Sequence, residues 1–325
     1  MSTTDTSNAG GFVKFSEEEN YRLAQQLINS RQGDLTKYAA IGDDFIRREL
    51  RERGFLRSIL PSKPCTNDML DRTERSGSLP VRIEDMEPSS PGAITLPFQS
   101  TGDQSWFGED RFAIKFGYVQ SREYYKDVNE LRTPRMDIRQ VTLNNSLLDL
   151  EYAEDAAAVN SWDTIVGPLG GTGAYSAVTQ NHEIAGGFTR KNYRRVVNFL
   201  TRHMMNTGAI LMNTETASQF LDWGRDEVGG DLAEKLLVNG TNSLTEGRGI
   251  FGIRHIVTLK RDLVPTNVLY LFAPPNFLGR FYELEKPTVY AERKEDILRF
   301  KIKELIGVTW ANVLGIHRVE FTEGS

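Results

Sequence analysis

The apolar positions between residues 133 and about 160 recur at helical spacing. Met136, Ile138, Val141, Leu148, Tyr152, Ala156 and Val159 form a stripe, while Asp137, Arg139, Asp149, Glu151, Glu154 and Asp155 are assigned to the wet faces. Thr133 can cap this helix, and Pro134 suits its first turn, where the missing N–H had no partner. At 1.5 Å rise per residue the rod is roughly 40 Å long, well beyond an average helix. Such a rod serves as a structural girder or as the core helix of an α/β enzyme, and its own pattern leaves both open.

Upstream, Ser16 and Glu19 make a capping box, and Tyr21, Ala24, Leu27 and Ile28 share a face, which predicts a helix over 16–31. A second helix, about 35–53, carries Tyr38, Ile41, Phe45 and Ile46 and ends in the charge run 47–53 before Gly54. A proline-marked linker, 61–80, sets this pair apart, so both helices read as an arm.

From residue 81 to 119 the period changes. Phe112, Ile114, Phe116 and Tyr118 alternate with Arg111, Ala113, Lys115 and Gly117, the signature of a half-buried strand, with residues 93–96 expected opposite. A long two-stranded ribbon is marginal alone in water. Trp106 and Phe107 fall at its expected tip, where aromatic side chains suit protein contacts.

Beyond the long helix, the glycine-rich passage 167–173 reads as a flexible loop. Thr189 opens a helix with Tyr193, Val196, Val197, Leu200 and Met204 inward and Arg190, Lys191, Arg194, Arg195 and Arg202 outward. Residues 209–212 read as a buried strand, Asn213 or Thr214 as the cap of a helix reaching Trp223, and Leu232, Leu236 and Leu237 as a further helix. Strands are expected at about 249–259, 267–273, 297–304 and 315–321. In the third, Leu298, Phe300 and Ile302 alternate with Arg299, Lys301 and Lys303. The order of elements is α+β, without internal repeats.

Composition narrows the function classes. A net charge of −5 gives no basic excess for a dedicated nucleic-acid binder. The single cysteine, Cys65, cannot form an intramolecular disulfide or a thiolate cluster, and reads as a partly buried thiol in a reducing compartment. The polar start has no signal-peptide pattern, and no apolar run approaches the roughly 18 residues of a membrane span, so cytosolic synthesis is expected.

Candidate chemistry is sparse. The glycine-rich passage lacks the Gly-Lys-Ser/Thr of a phosphate loop, and His182-Glu183 lacks the second histidine of a zinc protease helix. There is no Gly-x-Ser-x-Gly elbow, and the paired carboxylates Asp43-Asp44 and Glu154-Asp155 read as solvated helix residues. No catalytic, cofactor-binding or metal-ligating residue is assigned, and no cofactor is expected.

The succession of segments resembles the major capsid proteins of tailed bacteriophages with the HK97 fold. It is carried by 82–88 (RIEDMEP), 111–116 (RFAIKF), 126–133 (KDVNELRT) opening the long helix with Glu154-Asp155 near its end, 210–213 (ILMN), 249–253 (GIFGI) and 307–312 (GVTWAN). The resemblance spans about 79–321. It implies an α+β fold with an N-terminal arm (1–60), a linker and start of the peripheral domain (61–85), an extended loop (86–118), a peripheral domain with the spine helix (119–160), an axial domain (161–284), further peripheral strands (285–304) and C-terminal axial strands (305–325). It implies a virion protein, made in the host cytoplasm, that assembles as hexamers and pentamers around double-stranded DNA. That DNA is enclosed without sequence-specific binding, and portal and scaffolding proteins are the expected partners.

The expected assembly contacts are Trp106, Phe107, Arg111, Arg122, Lys126, Asp127, Glu130, Arg135 and Arg139, with the mixed charges of 122–139 setting register between subunits. Lys115, the only lysine of the loop, lies in a strand away from the tip, so the family's lysine–asparagine cross-link is not carried over. Two further readings stay open: an encapsulin-like cellular shell, and a soluble α+β enzyme.

Overall fold

The computed structural model describes residues 54–71, 80–87, 110–127, 138–223, 252–294 and 296–322. The expected helices at 16–31, at about 35–53 and around Leu232–Leu237 lie outside these residues, as do Thr133, Pro134, Met136 and residues 93–96. The chain divides into two compact units: one containing 120–150 and 286–303, the other 53–119, 151–285 and 304–325.

The larger unit is built on a five-stranded sheet of order β6–β12–β9–β7–β8: β6 (Asn181–Ala185), β7 (Ala209–Asn213), β8 (Arg254–Thr258), β9 (Val268–Phe272) and β12 (Ile316–Thr322). β12 runs parallel to β6 and antiparallel to β9, and β7 runs antiparallel to β9 and parallel to β8. β7 and β9 are buried at every position. Their period of two divides them between two cores. Ile210, Met212, Leu269 and Leu271 enter one, and Ala209, Leu211, Val268, Tyr270 and Phe272 the other. A continuous apolar run is therefore a strand covered on both faces.

The first core is closed by Tyr193 and Val196 of α3 (Arg190–Val197), together with Phe199, Leu200, Phe220 and Trp223. As expected, Thr189 caps α3 by accepting the Asn192 amide at 3.3 Å, and Asn213 caps α4 (Thr214–Ser218) by accepting the Thr216 amide at 2.7 Å. Met204 departs from expectation. α3 stops at Val197, a 3-10 turn follows, and Met204 takes φ 58° and is 99% exposed.

The second core receives α1 (Phe55–Ile59) and the last part of α2 (Ile138–Val166). Trp162 is its hub, with ring centroids of Phe272 at 4.6 Å, Tyr270 at 5.7 Å, Trp310 at 5.7 Å and Phe55 at 6.1 Å. Phe55, Leu56, Ile59 and Leu60 are buried, so the end of the expected arm is core. α2 runs past residue 160 to Val166, and its buried face is not the expected one. Leu148 is 51% and Tyr152 42% exposed, while Glu151, Glu154 and Asp155 are buried. Partners far along the chain reverse the local pattern, as described below.

A two-stranded ribbon pairs β2 (Val81–Met86) with β3 (Asp110–Lys115), register Val81 to Lys115 and Met86 to Asp110. The strand at 110–115 thus has 81–86 along one edge, and the expected partner 93–96 lies outside the described residues. Ile114 and Phe116 are buried beside Cys65, Tyr282 and Leu305, but Tyr118 is 58% exposed, because β4 (Gly117–Gln120) begins a new strand there. Cys65 is free and fully within this cluster.

The glycine-rich passage is pinned rather than loose. Gly167 and Gly170 take φ of 71° and 68°, and the amides of Gly170, Gly173 and Ala174 donate to Asn181, Val178 and Ile165 carbonyls.

Strands β10 (Arg280–Lys294) and β11 (Ile297–Thr309) run through both units, in a sheet ordered β1–β10–β11–β4 with β1 (Ser62–Pro64) parallel to the start of β10. The smaller unit holds β5 (Tyr124–Asp127), antiparallel to β11 with Tyr124 opposite Phe300 and Asp127 opposite Ile297. Leu298 and Ile302 are buried, as their alternation predicts. β10 starts at Arg280, ahead of the peripheral strands that the resemblance implies over 285–304, and holds Pro287 within it.

Candidate functional site

Four of the nine expected assembly residues have backbone positions that bear on contacts. Arg111 lies exposed on β3, 3.1 Å from Asp85. Arg122 is exposed in the smaller unit, and Lys126 and Asp127 follow on β5, opposite Leu298 and Ile297. Trp106, Phe107, Glu130 and Arg135 lie outside the described residues, and Arg139 is placed only as a helical residue of α2.

The carboxylates buried on α2 have partners on α1. Arg57 gives Glu154 two bonds, Nε at 3.1 Å and Nη2 at 2.9 Å, and also reaches Glu304 at 2.8 Å and Glu283 at 3.4 Å. All four residues are buried. Burial opposes the guanidinium charge, but the hydrogen bond and charge of Glu154, with Glu304 and Glu283, outweigh it and raise the Arg57 pKa. Burial, with the hydrogen bond and charge of Glu154, pushes Glu304 well above the usual carboxylate range. One guanidinium thus faces three carboxylates, and burial with the neighbouring Glu154 disfavours the ionised form of Glu304.

Beside this cluster Asp155 accepts the Leu56 amide at 3.0 Å and Lys260 Nζ at 2.7 Å. Burial raises its pKa in spite of Lys260. Every side chain here is spent on another part of the same chain. The arrangement locks α1 to α2, β10 and β11.

Three histidines meet at the edge of the first core. His182 Nε2 lies 3.0 Å from His317 Nδ1 with the rings parallel, His182 stacks on Phe199 at 4.0 Å, and the His203 ring is 5.4 Å from His317. Burial, then Arg202 and His203, lowers His182 to about 4; burial, then His182 and His203, lowers His317 to about 3. His255, buried under Tyr193 at 2.6 Å, is lowered by burial to about 4. The imidazoles of His182, His255 and His317 are neutral packing groups at neutral pH. Among the described residues no group of His, Cys, Asp and Glu could hold a metal ion.

One open groove of about 730 Å³ runs along α2 in the larger unit, lined by Leu56, Ala157, Ser161, Ile165, Tyr175 and Trp310 among others. Glu154, already bound to Arg57, is the carboxylate at its wall. No helix among the described residues is long and apolar enough to cross a membrane.

The smaller unit presents a feature that strand alternation announced without revealing its partners. On the outward face of β11, the Arg299 guanidinium lies 5.3 Å from the Tyr125 ring centroid and Lys303 Nζ 4.5 Å from that of Tyr290. Lys301 Nζ is 3.2 Å from Glu123, which also accepts the Tyr125 hydroxyl at 2.9 Å. The opposite face is inward, and there Tyr124 donates to Asp149 of α2 at 2.5 Å.

No protein-family model and no curated protein matches this sequence. Solved structures do. The capsid subunit of bacteriophage PhiM1, from its mature capsid, aligns with TM-score 0.53 at 10% identity, covering 80% of this chain and 85% of that one. The capsid subunit of a native GTA particle aligns with TM-score 0.52 at 14% identity, covering 81% and 96%. A virus-like particle from Pyrococcus furiosus aligns with TM-score 0.50 at 14% identity, covering 89% and 98%. The chain has the α+β HK97-like fold of these shell proteins.

Proposed function

We propose that this chain is the major capsid subunit of a tailed bacteriophage, which self-assembles into an icosahedral head enclosing double-stranded DNA. The observation that carries the reading is the shared fold with particle-forming proteins over about four fifths of the chain. It is supported by large apolar side chains left exposed on the subunit, Tyr118, Leu148 and Tyr152 among them, which copies of the chain would cover at roughly 25 cal/mol per Å². Many weak interfaces then add through multivalency.

In this reading the unit holding 120–150 and 286–303 is the peripheral domain, and the sheet of β6 to β12 belongs to the axial domain. Segment 86–118 is the extended loop, and the residues before α1 form an arm. Arg111, Arg122, Lys126 and Asp127, with Trp106, Phe107, Glu130, Arg135 and Arg139, act as contacts between subunits. The subunit needs no cofactor and performs no reaction. Its location is the virion, and portal and scaffolding proteins are its partners during assembly in the host cytoplasm. The virus-like particle from Pyrococcus furiosus supports a second reading, an encapsulin-like cellular shell.

Negative-stain electron microscopy of the concentrated protein tests both. Closed particles containing nucleic acid are expected; particles holding a protein cargo would favour the second reading, and a persistent monomer would overturn both. Deleting 99–110 should leave a folded subunit that forms no closed shells.

A further inference from the structure

The outward face of α3 carries charge that the fold does not use. Arg190, Lys191, Arg194 and Arg195 are exposed, while Asn192, Tyr193 and Val196 are buried. At 3.6 residues per turn the four cations fill an arc of about 140°, opposite the side that closes the first core. Among the described residues none of the four has an ion-pair partner. Between Glu183 and Glu215 the sequence has no carboxylate side chain, although acids outnumber bases by 44 to 39 over the whole chain, so sequence neighbours do not dilute this charge. Arg202, exposed and 5.3 Å from the Phe199 ring centroid, adds a fifth cation to the acid-free stretch.

Helix formation accounts for only part of the pattern. Arg194 and Arg195 lie in the last turn, where the helix dipole favours cations. Arg190 and Lys191 lie in the first turn, which has no acid and where the dipole opposes them. The pairs Arg190 with Arg194 and Lys191 with Arg195 are like charges four residues apart, which also oppose the helix.

We infer that this face of α3 holds the phosphate backbone of duplex nucleic acid, which in the shell reading places it on the inner wall. Three of the four cations are arginines, whose planar fork matches phosphate oxygens. α3 spans roughly 12 Å, along which a duplex presents about seven phosphates, enough for every cation. The contact carries no amide readout of bases, because Asn192, the one amide side chain of α3, is buried and donates to the Ala185 and Gly187 carbonyls. An acidic protein segment fits less well, since α3 has no exposed apolar side chain to anchor it. In an acidic chain one such face binds weakly, and many copies in a shell add.

The inference takes its place in the particle from the shell reading, but its first test needs no particles. In fluorescence anisotropy with a short mixed-sequence duplex, the log affinity of the unassembled subunit should fall against log salt with a slope of roughly −3 to −4. Binding then drops roughly a hundredfold between about 50 and 200 mM salt. A variant with Arg190→Gln, Lys191→Gln, Arg194→Gln and Arg195→Gln should keep the native circular dichroism, bind more weakly and lose most of that slope. Unchanged binding by the folded variant, or a flat salt response of the native subunit, overturns the inference. Polyglutamate bound as tightly as duplex would assign the face to an acidic protein and overturn it too. Should the variant misfold, acetylation of the native subunit decides: duplex should protect Lys191 at low salt, and no protection overturns the inference. In particles, Lys191 should react only after the nucleic acid is released; equal reactivity before and after also overturns it. Native protein that binds duplex through α3 but never forms particles overturns the shell reading and leaves this contact standing.

Discussion

The two five-stranded sheets among the described residues solve burial in opposite ways. β7 and β9 are apolar at consecutive positions because cores lie on both of their faces, one closed by α3 and one by α1 and α2. The smaller unit's part of β11 alternates, with Leu298 and Ile302 buried and Arg299, Lys301 and Lys303 turned outward over tyrosines. A run without alternation marks a sheet completed within the chain, and strict alternation marks one whose second face is left to solvent or a partner. Stability and assembly should therefore separate by location. Substitutions in the first sheet and its supports are expected to act on folding, and those on the outward face of β11 to leave folding nearly unchanged.

The largest effect is expected at Arg57. Truncation to alanine leaves Glu154, Glu283 and Glu304 buried without their cation, a change that costs about 3–5 kcal/mol where a buried pair is broken. Urea unfolding of the unassembled subunit, followed by tryptophan fluorescence, measures it, and a loss under about 1 kcal/mol would mean that water reaches the cluster. Next comes Leu271→Ala in β9, buried at 0% exposure, with an expected loss of about 2–5 kcal/mol in the same assay. If Leu271→Ala were as mild as a surface change, the closed sheet would not be the stabilising element.

A third effect distinguishes the closed region by pH. His182, His255 and His317 titrate at about 4, about 4 and about 3 in the folded chain against 6.5 unfolded. The unfolded chain takes up protons first, so their contribution is complete above pH 6.5 and is lost as pH falls toward 4. The melting temperature of the unassembled subunit should drop across that window. A His182→Gln and His317→Gln double variant should show a shallower drop. Equal slopes in both proteins would count against the histidine stack as the source.

What the sequence disclosed follows the same division between local and distant causes. The buried run at 209–212, the caps Thr189 and Asn213, and the alternation of 298–303 are local patterns, and each appears where it was expected. The α2 face was misread because Glu154 is neutralised by a residue 97 positions away and Asp155 by one 105 away. No window of 18 residues holds both partners. Their only trace was α1, a five-residue helix hidden behind Gly54 at the end of the expected arm. The outward face of β11 was half legible: alternation placed Arg299, Lys301 and Lys303 outward, but the contact of Arg299 with Tyr125 joins residues more than 160 positions apart, and only folding shows it.

The smallest expected change on folding is the sharpest test of the comparison. Lys301→Ala removes an ion pair with Glu123 whose side chains are 36% and 35% exposed, and pairs of that kind are worth about 0–1 kcal/mol. The urea midpoint of the unassembled subunit should barely move. A loss near that of Leu271→Ala would instead make the outward face part of the subunit's own scaffold, erasing the distinction between the sheets. Between those outcomes lies the informative one. A folded, normally stable Lys301→Ala subunit that assembles more weakly, and less so at high salt, locates the side chain's work outside its own chain, where the alternation of β11 left room for it.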